Sequence, residues 1–344
     1  MTTNTATPKT AYSEINNLVY RSYLPNIISA AIDIGVFDEL RYKPMSCAQI
    51  TDVCGADERI MDALLEVLLA LTYLEKDKSI YKLSPLADEF LTQASEFNQL
   101  GAIKQFTTHN GPLANLTEAL KGNIVDFDQH AWSNESAMRG IEQGTKAGAL
   151  QNVLAFVKEI PEFKRAKKMC DFAGNSGYYS YAFLNENPDL HAHVYDLEQV
   201  CKIALQIKKD EKNYNRVSYH SFDLIKGDDF GCDYDFFFSS HFLYKYDTPE
   251  SLACILKRIN KSMKIGALFV SNHISGGMKG DHHLTLCIVE LITRSMGFPT
   301  HCLKEDMLRK ALLDTGFEII STKAPNYRLA YPELILAARK IQDV

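Results

Sequence analysis

The sequence predicts an α/β protein in two parts: a helical N-terminal region with a helix–turn–helix and hairpin, then a doubly wound, mostly parallel sheet. From Lys167 onward, short apolar runs alternate with helix-like stretches, the rhythm of parallel strands joined by crossover helices. The first of these runs ends in Asp171-Phe-Ala-Gly-Asn-Ser-Gly177: an acid at a strand end, a small-residue turn, then a helix. Ahead of Lys167 the apolar residues instead recur at helical spacing. The resulting boundaries are residues 1–100, a helical linker over 101–165 that contributes to a pocket, and 166–344.

Apolar residues between 12 and 36 read as one or two helices, with Leu18, Leu24, Ile27, Ile28, Ala31 and Ile32 on a buried side. Ser46-Cys-Ala-Gln-Ile50 offers an N-cap and a short helix, Gly55 a turn, and 57–72 a second helix. Residues 73–83 read as a hairpin around Asp77-Lys78, completing a winged-helix order. Charge excludes a DNA-reading role for this element. Between Met45 and Leu74, Arg59 is the only basic residue, against Asp52, Asp57, Glu58, Asp62 and Glu66. Its apolar surplus (Ile60, Leu64, Leu65, Val67, Leu68, Leu71) fits packing or dimerisation. Residues 86–165 read as mostly helical, broken at Gly111-Pro112 and Gly122-Asn123.

The expected strands of the sheet are 167–172, 191–196, 217–223, 234–239 and 267–272. The last two, 317–322 and 333–338, are joined by a short loop with no helix, so the final strand runs antiparallel.

Composition narrows the function classes. An apolar share of 46% and a charged share of 23% are ordinary for a globular protein, and a net charge of −6 argues against a general nucleic-acid binder. Eight cysteines without a C-x-x-C pair read as reduced, mostly buried residues of a cytosolic protein. No apolar run approaches the roughly 20 residues a membrane helix needs. The polar start MTTNTATPKTAYS lacks an apolar signal core. A cytoplasmic protein with no membrane partner is expected.

Strand ends of a doubly wound sheet carry ligands where the strand order reverses. Asp171 closes the first strand, Asp196 the second and Asp223 the third. An acid about twenty residues after the turn is placed to accept both hydroxyls of a ribose, and one on the third strand can accept from an adenine amino group. Ala173 and Asn175 occupy two turn positions where glycine is expected. The three aspartates read otherwise as solvated turn residues.

With these residues in view, the chain resembles the two-domain S-adenosylmethionine-dependent methyltransferases that include plant and bacterial small-molecule O-methyltransferases. Ala30-Ala-Ile-Asp-Ile-Gly-Val-Phe37, the winged helix and Tyr81-Lys-Leu-Ser-Pro85 are similar to the family's dimerisation domain. The stretches 171–177, 194–197, 222–224 and 234–246 follow its cofactor and active-site motifs in order. The resemblance implies a Rossmann-like class I methyltransferase sheet with an N-terminal winged-helix dimerisation domain, and a homodimer. It implies S-adenosylmethionine as cofactor and S-adenosylhomocysteine as product. It places Gly174 and Gly177 by the methionine part, Asp196 at the ribose, Asp223 and Leu224 at the adenine, and Ser239 and Ser240 by the sulfonium, with Asp171, Asn175 and Leu197 also among the cofactor-binding residues.

The family's hydroxyl-methylating members carry a His-Asp-Trp triplet after the fourth strand, the histidine acting as general base. This sequence has Tyr244-Lys245-Tyr246 there. A tyrosine, with a pKa near 10, is a poor base at neutral pH, so Tyr244 orients substrate, relays a proton or lines the pocket. The related bacteriochlorophyllide C-20 methyltransferases also resemble this chain in having a tyrosine there, and they methylate carbon. That similarity extends through Met296-Gly-Phe-Pro-Thr-His-Cys-Leu-Lys-Glu-Asp306.

His241 could replace the missing base, because an imidazole titrates near neutrality. Together with His273 and Asp281-His282-His283 it forms a second constellation, read either as polar pocket lining or as iron or zinc ligands. Adjacent His282 and His283 point in different directions on a helix, so lining is preferred and no metal is assigned. His109, His130 and Trp132 fall where the family's substrate-facing residues lie, Trp132 reading otherwise as core packing, and His283, Met296 and Phe298 border the same cavity by resemblance. Tyr178, Tyr179 and Tyr181 flank the turn, as cofactor contacts or as helix packing.

The expected function is methyl transfer to a small aromatic or conjugated metabolite, with the choice among O-, N- and C-methylation open. The alternatives are atypical or metal-assisted chemistry on bound cofactor, or a degenerate ligand-binding winged-helix protein.

Overall fold

The structure, a computed structural model, describes residues 9–105, 113, 116–122, 134–223, 229–275 and 281–344; the side chains of Gln105, Asp281 and His282 are outside that description. The chain forms two compact units, Met1–His109 and Asn110–Val344.

In the first unit, helices Ser13–Arg21, Leu24–Asp33 and Val36–Tyr42 lead into the winged helix. Ser46 and Gln49 cap helix Cys47–Cys54 reciprocally, and Asp57 caps Glu58–Ala70 through the backbone N–H groups of Arg59 and Ile60. The short strand β1 (Met45–Ser46) pairs with β3 (Ile80–Leu83), which pairs with β2 (Leu74–Asp77) across a turn in which Lys78 has φ 55°. Phe37, Ile50, Met61, Leu65, Leu68 and Tyr81 fill the core between these elements. One expectation is overturned: Leu18 is 68% exposed, and helix Ser13–Arg21 buries none of its residues. Its apolar positions point outward together with Ile15 and Val19.

In the second unit, five parallel strands are β4 (Lys168–Phe172), β5 (His191–Asp196), β6 (Val217–Ser221), β7 (Tyr234–Ser240) and β8 (Met263–Ile274). The last two are β9 (Phe317–Lys323) and β10 (Glu333–Lys340), and the spatial order is β6-β5-β4-β7-β8-β10-β9. Strand β10 inserts antiparallel between β8 and β9, as the helix-free final pair predicts. Successive side chains of Phe236-Phe-Phe238 enter opposite layers, so a continuous aromatic run is buried on both faces. Phe163, Phe183, Phe236 and Phe238 pack one layer; Phe172, Phe222, Phe230 and Phe237 pack the other.

Three expectations change in detail. Strand β6 ends at Ser221, so Asp223 lies two residues beyond it rather than closing it. Strand β8 begins at Met263 and runs on through His273, which puts this histidine in the sheet. Only Cys170 and Cys201 are buried, while Cys232, Cys254 and Cys287 are exposed, and all eight thiols are free. Of the expected helix breaks, Gly122 follows helix Leu116–Leu120 with φ 84°, whereas Gly111, Pro112 and Asn123 lie outside the described residues. A break that the sequence reading missed sits at Gly148, with φ 113°, between helices Glu135–Gly144 and Leu150–Val157. No helix among the described residues is long and apolar enough to cross a membrane.

Candidate cofactor and active site

The turn after β4 is built by backbone conformation first. Ala173, Asn175 and Gly177 have φ of 56°, 52° and 77°, so alternate positions are left-handed. Asparagine tolerates that region through its short polar side chain, and the Asn175 Oδ1 accepts from the Ser176 N–H at 2.8 Å. The expected glycines are therefore replaced without changing the turn's handedness.

Gly174 is needed for space rather than φ. A Cβ there would lie 2.6 Å from the Asp171 carboxyl carbon. That carboxyl, 2% exposed, accepts from the Ser180 hydroxyl at 2.6 Å and from the Ser180 backbone N–H, capping helix Tyr178–Glu186 from below. Burial, with Asp196 nearby as a lesser cause, pushes the Asp171 pKa up to about 7.

Asp196 closes the other side of the turn. Its Oδ2 accepts from the Asn175 N–H and its Oδ1 from the Leu197 N–H, each at 2.8 Å. The carboxylate is thus fixed by two backbone donors and keeps acceptor capacity for hydroxyls of a ligand. Burial raises its pKa, opposed by those two N–H groups. Asp223 is half-buried nearby in sequence order; Leu224 lies outside the described residues.

A latch covers the turn from helix Glu135–Gly144. The Ser176 hydroxyl donates to the Glu142 carboxylate, which pairs with the buried Lys208 at 2.8 Å. The Lys208 ammonium in turn sits 5.2 and 5.5 Å from the ring centroids of Tyr178 and Tyr181, which shows what these two tyrosines do. Tyr179 packs on Phe238 instead.

At the ends of β7 and β8 stands an aromatic wall. From the turn outward, Phe172 meets Phe242 edge-on at 4.5 Å, and Lys245 Nζ lies 4.4 Å from the ring centroids of both Phe242 and Phe298. Phe298 meets Tyr244 at 6.5 Å, Tyr244 stacks on His301 at 4.5 Å, and His301 lies 6.0 Å from His241. Burial pushes the Tyr244 phenol up to about 12, so it is a hydrogen-bond donor near neutrality.

His241 adopts φ 50° just past β7, its N–H bound to the Asn272 carbonyl at 2.9 Å. Its Nε2 meets Glu333 Oε1 at 2.6 Å, and Glu333 Oε2 accepts from Asn272 Nδ2 at 2.9 Å. Carboxylate and histidine make a dyad that keeps the proton on Nε2 and leaves the Nδ1 lone pair available. The His301 tautomer follows similarly: the Thr293 hydroxyl donates to the Val289 carbonyl, so it accepts from His301 Nδ1–H at 3.0 Å. Burial first, and then His241, hold the His301 pKa down to about 4.

The other expected residues divide. Ser240 Oγ accepts from Asn272 Nδ2 at 3.1 Å, while Ser239 Oγ is buried with no partner among the described residues. His273 is buried beside Ser271, at 2.9 Å, and burial drops its pKa to about 3. His283 is exposed against Cys287, and Met296 follows helix Asp281–Ser295, one residue before the turn at Gly297 that leads to Phe298. His109, His130 and Trp132 lie outside the described residues. Among the described residues no group of three His, Cys, Asp or Glu side chains could hold a metal ion. Glu333 and His301 were not foreseen. Glu333 is 92 positions from His241, so no local spacing links them, and His301 lay inside the recognised 296–306 stretch without a role.

Known proteins resemble this chain in sequence and fold. Residues 16–93 match the family model of the O-methyltransferase dimerisation domain. An uncharacterized protein, MJ0086 of Methanocaldococcus jannaschii, is 26% identical over 71% of this chain; the match spans only 65% of its length. The N,N-dimethyltransferase OxyT of Streptomyces rimosus is 24% identical over 78% of this chain and 80% of its own. PigF of Serratia sp., an S-adenosyl-L-methionine-dependent methyl transferase, is 24% identical over 70% of this chain and 72% of its own. The solved structure of PigF with SAH shares the fold at a TM-score of 0.71 and 17% identity, over 96% of this chain and all (100%) of that one.

The chain resembles S-adenosylmethionine-dependent methyltransferases in sequence and shares their fold.

The residues present fit S-adenosylmethionine, the methyl donor named for PigF. Asp196 is preset by backbone donors with lone pairs to spare. The buried Ser239 Oγ, near the end of β7 where it pairs with β4, has no partner among the described residues. The turn also carries a measurable signature in the cofactor-free enzyme. A carboxyl whose folded pKa is about 7, against about 3.9 unfolded, is more protonated when folded. Its stability contribution is full below pH ~4 and is lost as pH rises through about 7. Chemical denaturation from pH 4 to 8 should therefore show wild type losing roughly 2–4 kcal/mol relative to Asp171→Asn. A constant difference between the two proteins would contradict the burial argument.

Proposed function

We propose that the protein is an S-adenosylmethionine-dependent methyltransferase acting on an oxygen of a flat aromatic or conjugated small molecule lying against the Tyr244–His301–Phe298 wall. The observation that carries the reading is the His241–Glu333 dyad, a base held by a carboxylate at the end of the strand bearing Ser239 and Ser240. S-adenosylmethionine, when bound, supplies an electrophilic methyl group on a cationic sulfur. Asp196 would hold the ribose, and Gly174 and Gly177 would let the backbone approach the methionine part. Asp223 would face the adenine. His241 Nδ1 would take the acceptor's proton while Glu333 stabilises the resulting imidazolium. Tyr244 and His301 would orient the acceptor and exclude water, so that alignment contributes most of the rate enhancement. Amine acceptors, as the name of OxyT indicates for that protein, would need no such base.

Calorimetry with S-adenosylmethionine should give 1:1 binding that Asp196→Ala weakens about 10–100-fold, the loss of charge-assisted hydrogen bonds. No binding by wild-type protein would end the reading. Once an acceptor is in hand, His241→Ala and Glu333→Gln should each lower kcat about 10²–10⁴-fold while leaving cofactor affinity unchanged. Tyr244→Phe should cost less than about tenfold, because its buried phenol does not serve as the base. A large loss in Tyr244→Phe with a mild one in His241→Ala would reverse the assignment.

The chain is further proposed to be a cytoplasmic homodimer, joined through its first unit. Helix Ser13–Arg21 exposes Ile15, Leu18 and Val19 at 58%, 68% and 48%, an apolar face that a second copy would cover. Light scattering should find a dimer for wild type and a folded monomer for Leu18→Glu. A monomeric wild type would exclude the proposal.

A further inference from the structure

Lys245 is the wall residue that neither the cofactor nor the base explains. It ends the short turn Leu243–Lys245 after β7, and its ammonium contacts two rings, 4.4 Å from the centroids of both Phe242 and Phe298. Among the described residues no carboxylate comes within ion-pair distance of it. The nearest acting negative charge is Asp196, already engaged by two backbone N–H groups. Burial against the rings pulls the Lys245 pKa down to about 8, the response of a cation short of both water and a partner.

The rest of the wall offers it nothing negative. Tyr244 is protonated at neutral pH, His301 is neutral, and Glu333 is spent on His241 and Asn272. A desolvated cation among aromatic rings is costly unless something anionic completes it, and cation–π contacts offset only part of that cost. The rings that flank the ammonium are continuous with those that would hold a planar acceptor.

We propose that Lys245 is a specificity-determining cation that pairs with an anionic oxygen, a carboxylate or an acidic hydroxyl, on the aromatic acceptor. The enzyme's substrates are then aromatic or conjugated acids rather than neutral phenols or amines. This rests on the methyltransferase reading above, since it assigns the bound molecule to the acceptor site.

The experiment is calorimetry on the full-length protein saturated with S-adenosylhomocysteine, using matched probes. Single-ring and fused-ring aromatic carboxylates are compared with their carboxamides, and acidic phenols with their methyl ethers. At least one anion should bind tenfold or more tighter than its neutral partner; the carboxylate and phenol arms distinguish the two sources of charge. Lys245→Met should abolish that preference, Lys245→Arg should retain it, and the affinity for S-adenosylhomocysteine should change less than twofold in both. A panel in which no anion outbinds its neutral partner would overturn the proposal, as would a preference that survives Lys245→Met. Weakened S-adenosylhomocysteine binding in Lys245→Met would move the lysine to the cofactor site and overturn it equally. Failure of wild type to bind S-adenosylhomocysteine at all would instead remove the methyltransferase reading itself.

Discussion

The carboxyl of Asp171 is buried where the central strand ends, and the conformation of the cofactor turn depends on it. It caps the following helix through Ser180, and it leaves no room for a side chain at position 174. Asp196 then ties the neighbouring strand to the same turn through Asn175. Two carboxylates thus hold one loop from two sides, one hidden and structural, the other half-buried with acceptor capacity left. Burial raises the pKa of both, and at Asp171 the charge of Asp196 adds a lesser push in the same direction. That burial is tolerable because backbone N–H groups, not water, solvate each acid.

Much of this architecture could be read from residue patterns, for reasons that are physical. The alternation after Lys167 is legible because strands buried on both faces need unbroken apolar runs, and 234–238 is such a run. The antiparallel β10 is legible because no crossover helix fits the loop before it. Ala173 and Asn175 looked like departures from a glycine turn, yet both hold left-handed φ, so the backbone kept what the side chains disguised. Leu18 misled because an amphipathic helix reveals that it has an apolar face, not what covers that face.

The active site was less legible. His241 was visible as a candidate because it sits one helical turn before Tyr244 in sequence, but its partner Glu333 enters from the last strand. Sheet topology, with β10 lying beside β8, brings them together, and no periodicity encodes that. His301 and Lys245 belong to the same class. Their meaning comes from the rings around them, contributed by segments more than fifty residues apart in the case of Lys245 and Phe298. Hydrogen-bond direction adds what residue identity cannot: the Thr293 hydroxyl fixes which nitrogen of His301 carries the proton.

The break at Gly148 lies between the helix that carries Glu142 and the loop that leads into β10. A side chain there would strike Leu329, which precedes β10 and Glu333, and Lys323 of β9 binds the Asn152 carbonyl just beyond it at 3.1 Å. The helix on the other side of the break carries Glu142, the latch over Ser176. Gly148 is therefore a joint between the clasp over the cofactor turn and the hairpin that carries Glu333. An alanine at this joint would disturb both at once, because the same backbone bend sets the angle of one and the seat of the other.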